Sequence, residues 1–359
     1  MSIGLDIGKF SIKIVELEKN NDSTTVKNIG KKDLFDDLNK FDHDKISKSQ
    51  IKACIEDLCE QMKIKPKKIK HLTSSLSGKL IDVRQISTLE MPDHELSVSL
   101  ELEAKKHVPL DGTDAIIDYH LLGSNNEKLD QINLILSTTT KNIISEHAEL
   151  LKSCKIKPGV FDADPIAISN IHQYSNELSD QGSDVLVNIG NSTTSVIVWG
   201  KNSSFFTREI DIAGNKINKE IIRKYACDYS NAENKKIELG IKSLDEEKTD
   251  KENLEENESD NATPGGIMIE EKTIFNELVD EIRKTLRFYM KNNNNSFFNT
   301  FYLTGGGALL PGLDEFIASN LNVKVELLDP FKKINNSTKV SNPFEYSIAL
   351  GLALRGLEK

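Results

Sequence analysis

The sequence predicts an α/β protein built from two similar halves, each opening on a strand that runs into a glycine turn. Three observations carry that reading. Ile3, Leu5 and Ile7 alternate with Gly4, Asp6 and Gly8, and the alternation resumes over residues 11–17 after the turn Gly8-Lys9-Phe10. The same order of apolar strand, polar residue, Ile-Gly, polar turn and apolar strand returns at residues 184–190 and 194–199. A third apolar strand, 301–304, runs into Gly305-Gly306-Gly307. A pattern repeated so far apart in the chain implies two related subdomains facing each other.

Between these markers the elements follow in order. Residues 18–48 read as polar and loop-like. Ile51, Ile55, Leu58 and Met62 then recur at helical spacing, and Pro66 ends the helix. A short strand at 71–76 and another at 80–84 precede a compact αββα unit over 86–160. It holds a helix at 93–107 ended by Pro109, strands at 115–122 and 131–138, and a helix at 141–154. After the second glycine turn comes a helix at 216–225. A strongly periodic helix presents Ile274, Phe275, Leu278, Val279, Ile282, Leu286 and Met290 as one apolar stripe and stops at 292–295. One helix starts after Pro311-Gly312, and a closing helix contains Tyr346, Ile348, Ala349 and Leu352.

Composition narrows the function classes. The 359 residues allow two or three domains, and 38% hydrophobic with 28% charged residues is a globular balance. The net charge of -10 argues against a nucleic-acid backbone binder. Residues 245–260 hold nine acids and two bases, a local net of -7, so the rest of the chain carries only -3. The surrounding stretch 240–266 has few apolar residues and is expected to be disordered. The four cysteines form no CxxC, which leaves Cys54 and Cys59 as buried hydrophobes. Neither a secretory signal nor an apolar run long enough for a membrane span is visible.

The chemistry points to a phosphate. At Asp6-Ile7-Gly8 a carboxylate sits beside free backbone N–H groups, a turn able to wrap a phosphate while the acid holds Mg2+ through water. Lys13 on the returning strand is placed to neutralise phosphate oxygens. Residues 188–194, Asn-Ile-Gly-Asn-Ser-Thr-Thr, offer a second such turn with hydroxyls. The glycine triplet lets backbone approach a ligand closely. The absence of GxxxxGK[ST] excludes the P-loop class. Each turn taken singly is equally consistent with an ordinary hairpin.

Two such turns in opposed halves plus the triplet resemble the actin-like ATPase superfamily. The stretches 4–8 with Lys13, 103–109, Asp118-Tyr119, 305–313 and 328–331 resemble its PilM family, whose members assemble type IV pili. The resemblance implies an actin-like two-lobed fold with the extra 1C subdomain shared by PilM and FtsA. It would divide the chain into 1A (1–85 and 160–180), 1C (86–159), 2A (181–215 and 296–359) and 2B (216–295). It further implies ATP and Mg2+ in the cleft. Asp6, Gly8, Ser11 and Lys13 would contact phosphate and metal, with Mg2+ held by Asp6 through water. Gly190, Ser192 and Thr193 would form the second phosphate turn. Gly214, Lys216 and Asn218 would border the nucleotide. Glu233 and Lys236, in an AExxK element, would face ribose and adenine, and Gly305, Gly306 and Gly307 the nucleoside.

The sequence departs from the superfamily at Asn188, where many members keep an aspartate, and at Lys9, where a small hydroxyl residue is common. An amide carries no charge to orient Mg2+ or polarise water. Asp164, with Asp162 beside it, remains as a water-orienting acid, and slow or absent turnover is expected. The resemblance also implies a partner: the N-terminal tail of a PilN-like inner-membrane protein, lying in a groove between 1A and 1C. The walls would be 93–107 and 115–122, with Leu96, Leu100 and Val108 in the core. Other pilus proteins and self-association fit the same reading. The protein would be cytoplasmic and reach the membrane only through that partner, because residues 354–359 are too short to lie on a bilayer. An FtsA-like filament-forming division protein and a nucleotide-free module like the cytoplasmic part of GspL are the alternatives.

Overall fold

The computed structural model describes residues 1–20, 23–42, 45–106, 114–125, 128–244, 272–293 and 297–357. The expectations for His107, Val108, Pro109, residues 245–266, Asn294–Asn295 and the last two residues lie outside them.

The chain begins with β1 (Ser2–Ile7), β2 (Ser11–Asn20) and β3 (Ser23–Asp33), an antiparallel meander. The third strand replaces the loop expected after residue 17. Its Thr-, Lys- and Asn-rich sequence hides a strand because only one face is buried, through Thr24 and Val26. Helix α1 (Lys48–Gln61) starts at a capping box between Ser47 and Gln50 and buries Cys54, Ile55, Leu58 and Cys59 against the sheet. β4 (Leu72–Leu76) then pairs parallel to β1.

β5 (Asp82–Leu89) is longer than the expected strand and belongs to a separate sheet. It is followed by α2 (Asp93–Ala104), β6 (Ala115–Ser124), β7 (Gln131–Thr140) and α3 (Lys141–Ser153). The unit between the first sheet's strands is therefore βαββα, with sheet order β5-β7-β6. Its core is small: Leu96, Leu100, Leu134 and Leu136. β8 (Val160–Ala163) returns to the first sheet, parallel to β4, and leads directly into α4 (Asp164–Ser175) with Pro165 in its first turn.

The second half repeats the plan. β9 (Ser183–Ile189), β10 (Thr194–Trp199) and β11 (Phe206–Ile210) form the meander, followed by α5 (Gly214–Tyr225) and α6 (Tyr229–Leu239). Helix α7 (Ile274–Asn292), β12 (Phe298–Thr304), α8 (Leu313–Leu321), β13 (Val325–Leu327) and α9 (Ser347–Arg355) complete it. The two large sheets have matching orders, β3-β2-β1-β4-β8 and β11-β10-β9-β12-β13, with matching parallel and antiparallel pairs.

In α7 the predicted stripe holds through Leu286, but Met290 is exposed and Tyr289 takes its place, fully buried with its hydroxyl donating to Ser204 O at 3.2 Å. Steps of three and four residues from Leu278 and Ile282 reach Thr285 and Tyr289. Of the stretch 240–266 expected to be disordered, the first five residues are ordered. Gly240–Leu244 is a short 3-10 helix, and Ile241 N donates to Pro311 O at 3.1 Å.

One core joins the two halves. Val15, Leu17, Leu186 and Ile197 from the two sheets meet Ile168 and Ile171 of α4 and Ala349, Leu350 and Ala353 of α9. The helices fit because side chains are missing where backbones meet. A Cβ on Gly351 would overlap Ala167 O, and one on Gly4 would overlap Ala349 O. Replacing Gly351 by Ala is expected to lower stability by about 1–3 kcal/mol or more, since the obstacle is rigid helix backbone. A denaturant titration checks it, and an unchanged midpoint would contradict this packing.

His147 of α3 supplies a pH dependence. Its Nε2 lies 2.9 Å from Ser74 Oγ, its ring meets Phe161 edge-on, and burial pushes its pKa down to about 4. The unfolded chain takes up this proton near the ordinary histidine value of 6.5 and the folded protein only near 4, so stability is lost as pH falls through that window. Thermal melting should therefore drop more steeply between these pH values in the wild type than in His147→Gln.

Candidate functional site

The two glycine turns are built alike. In the first, Asp6 lies directly opposite Lys13, and the Nζ to Oδ2 distance is 3.2 Å with both side chains buried. In the second, Asn188 lies opposite Ser195 in the same relation. A Cβ on Gly8 would come within 2.8 Å of Ser11 O, and one on Gly190 within 3.0 Å of Thr193 O. Each turn is thus held tight by its own glycine. Ser11 is buried at the base of the first turn, and Thr193 is half-buried with Ser192 exposed in the second. Lys9 is exposed at the tip of the first.

The first sheet adds an acid. Asp164, the first residue of α4, accepts a hydrogen bond from Ser75 Oγ at the end of β4. Burial pushes its pKa well above the usual carboxylate range, and the neighbouring charge of Asp6 pushes it further, against a smaller opposing effect from Ser75. Asp6, Lys13, Ser75 and Asp164 therefore gather where the central strands end, the place where open α/β sheets take ligands. Asp162 lies beside Ser75 across the β4–β8 pairing. Its neighbouring charges are Arg355 and Asp118, and burial raises its pKa too.

The glycine triplet serves the second turn more than an open cleft. Gly305 has φ +87°, and its Cβ would overlap Asn188 Oδ1. Gly307 N donates to Ile189 O at 2.9 Å, and a Cβ there would overlap the Ile189 side chain. Gly306 alone opens onto free space. Two of the three glycines are thus also required by internal packing.

Helix α5 starts on the second turn: Gly214 N donates to Gly190 O at 3.1 Å and Asn215 N to Asn191 O at 2.8 Å. Lys236 of α6 ion-pairs with Glu233 at 2.7 Å, and Asn218 Nδ2 donates to the same carboxylate at 2.6 Å. Burial lowers the Lys236 pKa, with Glu233 opposing the shift. Tyr229, whose pKa burial raises to about 12, donates to Asn215 Oδ1 at 3.0 Å. Asn218 Oδ1 is fully enclosed and accepts no hydrogen bond from the protein. Lys216 lies apart, donating to Glu277 of α7 at 3.3 Å beside a charged cavity lined by Arg208, Asp280 and Lys284.

A family model for the type IV pilus assembly protein PilM matches residues 4–248 and 251–357. The chain belongs to the PilM family. A chain of the PilM–PilN type IV pilus biogenesis complex superposes with a TM-score of 0.79 at 21% identity, covering 100% of this chain and 99% of that one. EutJ, the ethanolamine utilization protein of Carboxydothermus hydrogenoformans, matches at 0.52 and 11% identity, over 98% and 89% of the two chains. MreB 5 of Spiroplasma citri, bound to AMPPNP, matches at 0.50 and 12%, over 98% and 94%. These similarities establish the actin-like ATPase fold for this PilM-family chain.

Ser75, Asn215 and Tyr229 escaped the sequence reading. Ser75 sits in a five-residue strand with no motif around it, and only the pairing of β4 with β8 brings it to Asp164. Asn215 stood in a loop already marked by Gly214, so the adjacent glycine was its one signal.

Asp164 gives a second pH prediction. With its pKa raised in the folded state, its contribution to stability is full below the unfolded value of 3.8 and is lost as pH rises above it. Asp164→Asn, which still accepts from Ser75, should melt higher than the wild type at neutral pH, with the difference vanishing toward pH 3.8. Equal melting at both pH values would refute the burial of this acid.

Proposed function

We propose that this PilM-family protein is an ATP-binding actin-like scaffold of type IV pilus or related machinery that holds the N-terminal tail of a PilN-like inner-membrane protein. The observation that supports the nucleotide half is a pair of like-built turns, one charged by Asp6 and Lys13, the other backed by α5 and the Glu233–Lys236 pair, with the charge of Glu209, opposite Ser195, reaching Asp164 beside Asp6. The residues fit such a ligand. Gly306 leaves space, Asn218 Oδ1 is an enclosed acceptor without a partner, and the turns present backbone N–H groups.

Lys13 would neutralise phosphate oxygens while Asp6 orients a Mg2+ through water; the ion supplies charge neutralisation along the phosphates. Among the described residues no three His, Cys, Asp or Glu are grouped to hold a metal, so phosphate and water would complete its shell. Gly8, Ser11, Gly190, Ser192 and Thr193 would line the phosphates, and Gly214, Asn218, Glu233 and Lys236 the ribose and base. Lys216, turned to Glu277, would act from the rim. Asp164 is biased toward its protonated form, the wrong state for a general base, which fits slow or absent turnover. MreB 5 of Spiroplasma citri, of the same fold, binds AMPPNP.

The partner half rests on a helix that is apolar on two sides. Leu96 and Leu100 of α2 are buried, while Val98 and Leu102 are about 60% exposed at 59% and 61%. Ile116, Leu121 and Leu122 of β6 are exposed as well, and β8 is an edge strand with Val160 exposed. An edge strand facing apolar side chains suits an extended peptide, which needs both backbone partners and pockets. We assign 1A to 1–85 and 160–180, 1C to 86–159 with β5 as its entering strand, 2A to 181–215 and 296–359, and 2B to 216–295. No helix among the described residues is long and apolar enough to cross a membrane, so attachment would run through the partner.

Calorimetric titration with Mg-ATP tests the first half. Asp6→Ala and Lys13→Ala should each weaken binding roughly tenfold or more, the loss of one hydrogen bond to a charged group. Unchanged affinity in both would remove the pocket. For the second half, a fluorescent peptide carrying the N-terminal tail of a PilN-like protein should bind the wild type and lose affinity to Val98→Glu with Leu102→Glu, while ATP affinity stays unchanged. A peptide that binds both proteins equally would refute the assigned wall.

A further inference from the structure

The two halves also touch through the segment that follows β3. β3 ends at Asp33, and Leu34 N donates to Phe10 O, in the tip of the first glycine turn, at 3.0 Å. The Phe10 ring stands edge-on to Phe35 with centroids 4.8 Å apart, and Phe35 packs on Phe41 at 5.0 Å. Between those rings Leu38–Lys40 forms a 3-10 turn capped by Asp37, whose Oδ1 accepts from Asn39 N at 3.0 Å. The segment is therefore shaped from within and rooted on the first turn.

Its outer end crosses to the other half. Asn39 Oδ1 accepts a hydrogen bond from Ser230 N at 2.8 Å. Ser230 lies in the first turn of α6, where backbone N–H groups have no acceptor inside the helix. Asp228 caps Asn231 N at 2.8 Å, and Asn39 caps the N–H beside it from across the molecule. Tyr229, next in the chain, donates to Asn215, whose own N–H is bound to Asn191 in the second glycine turn. A continuous path thus runs from the first turn through Phe35 and Asn39 to α6 and back to the second turn.

We propose that Leu38–Lys40 is a clasp that holds the two halves closed over the nucleotide and opens to let it exchange. The proposal rests on the nucleotide reading above. The bond suits a reversible closure because Asn39 is exposed: water replaces Ser230 N as a partner at little cost, so the contact adds only the modest worth of one hydrogen bond. Both ends of the clasp are tied to the turns that would hold the phosphates, so a ligand that draws the turns together also brings Asn39 to Ser230. Closure and occupancy are then linked, each favouring the other.

Release of a fluorescent ATP analogue from the full-length protein, chased with excess ATP, tests this. Asn39→Ala should release it about 2- to 10-fold faster than the wild type. Asn39→Asp, which keeps the acceptor, should release it near the wild-type rate. Wild-type release from Asn39→Ala overturns the clasp. Amide hydrogen exchange at Ser230 gives a readout independent of nucleotide: protection in the wild type and its loss in Asn39→Ala are expected. Should the wild type bind no ATP at all, the nucleotide reading fails, and exchange alone decides whether the segment joins the halves. Equal exchange in both proteins then overturns it.

Discussion

Everything in this molecule depends on how closely two helices can approach between two sheets. α4 crosses from the first half and α9 closes the chain, and both lie in the one core that the sheets share. Gly351 against Ala167 and Gly4 against Ala349 allow backbone to touch backbone there. Because interiors pack as densely as crystals, a single methyl at either place has nowhere to go. Across that core the charge of Glu209, opposite Ser195 on β10, reaches Asp164 beside Asp6, with the charged pair on one sheet and Asn188 on the other.

The halves are alike in path and unlike in charge. Position for position, Asp6 and Lys13 in the first turn correspond to Asn188 and Ser195 in the second. The Asn188 amide lies against Gly305, where its oxygen occupies the space a Cβ would need. An aspartate there would bring a buried negative charge against backbone without a countercharge, a cost of several kcal/mol. The duplicated fold therefore carries one electrostatically active turn and one that works through backbone and hydroxyl groups. Burial is the first reason Asp164 favours its proton; the charge of Asp6 adds to it, while Lys13 opposes the shift.

The inserted βαββα unit is a different kind of structure. Four leucines form its buried centre, and each fully buried leucine contributes about 1.5–3 kcal/mol, little for a unit of this size. It is steadied by attachment to the rest. β5 enters it beside β11, and the side chain of Gln85 accepts from Phe205 N at 2.6 Å across to the second half. Its surface keeps Val98 and Leu102 exposed, an apolar pair that contributes nothing to its own core.

The sequence by itself determined the parts whose cause is local. Alternation placed β1, β2, β9 and β10, helical spacing placed α1 and α7, and Gly8 and Gly190 marked turns where a Cβ would crowd the facing carbonyl. The relation between the halves was legible too, because the same short pattern occurs twice. β3 was hidden, since a strand buried on one face and rich in Thr, Lys and Asn looks like a loop until β2 lies beside it. Tertiary structure alone decided that Ser75 meets Asp164 and that Gly305 and Gly307 pack on Asn188 and Ile189. It alone brought Asn39 to Ser230, 191 residues away. Contacts of that kind depend on where whole sheets and helices come to rest, and no run of neighbouring residues encodes the distance between two surfaces.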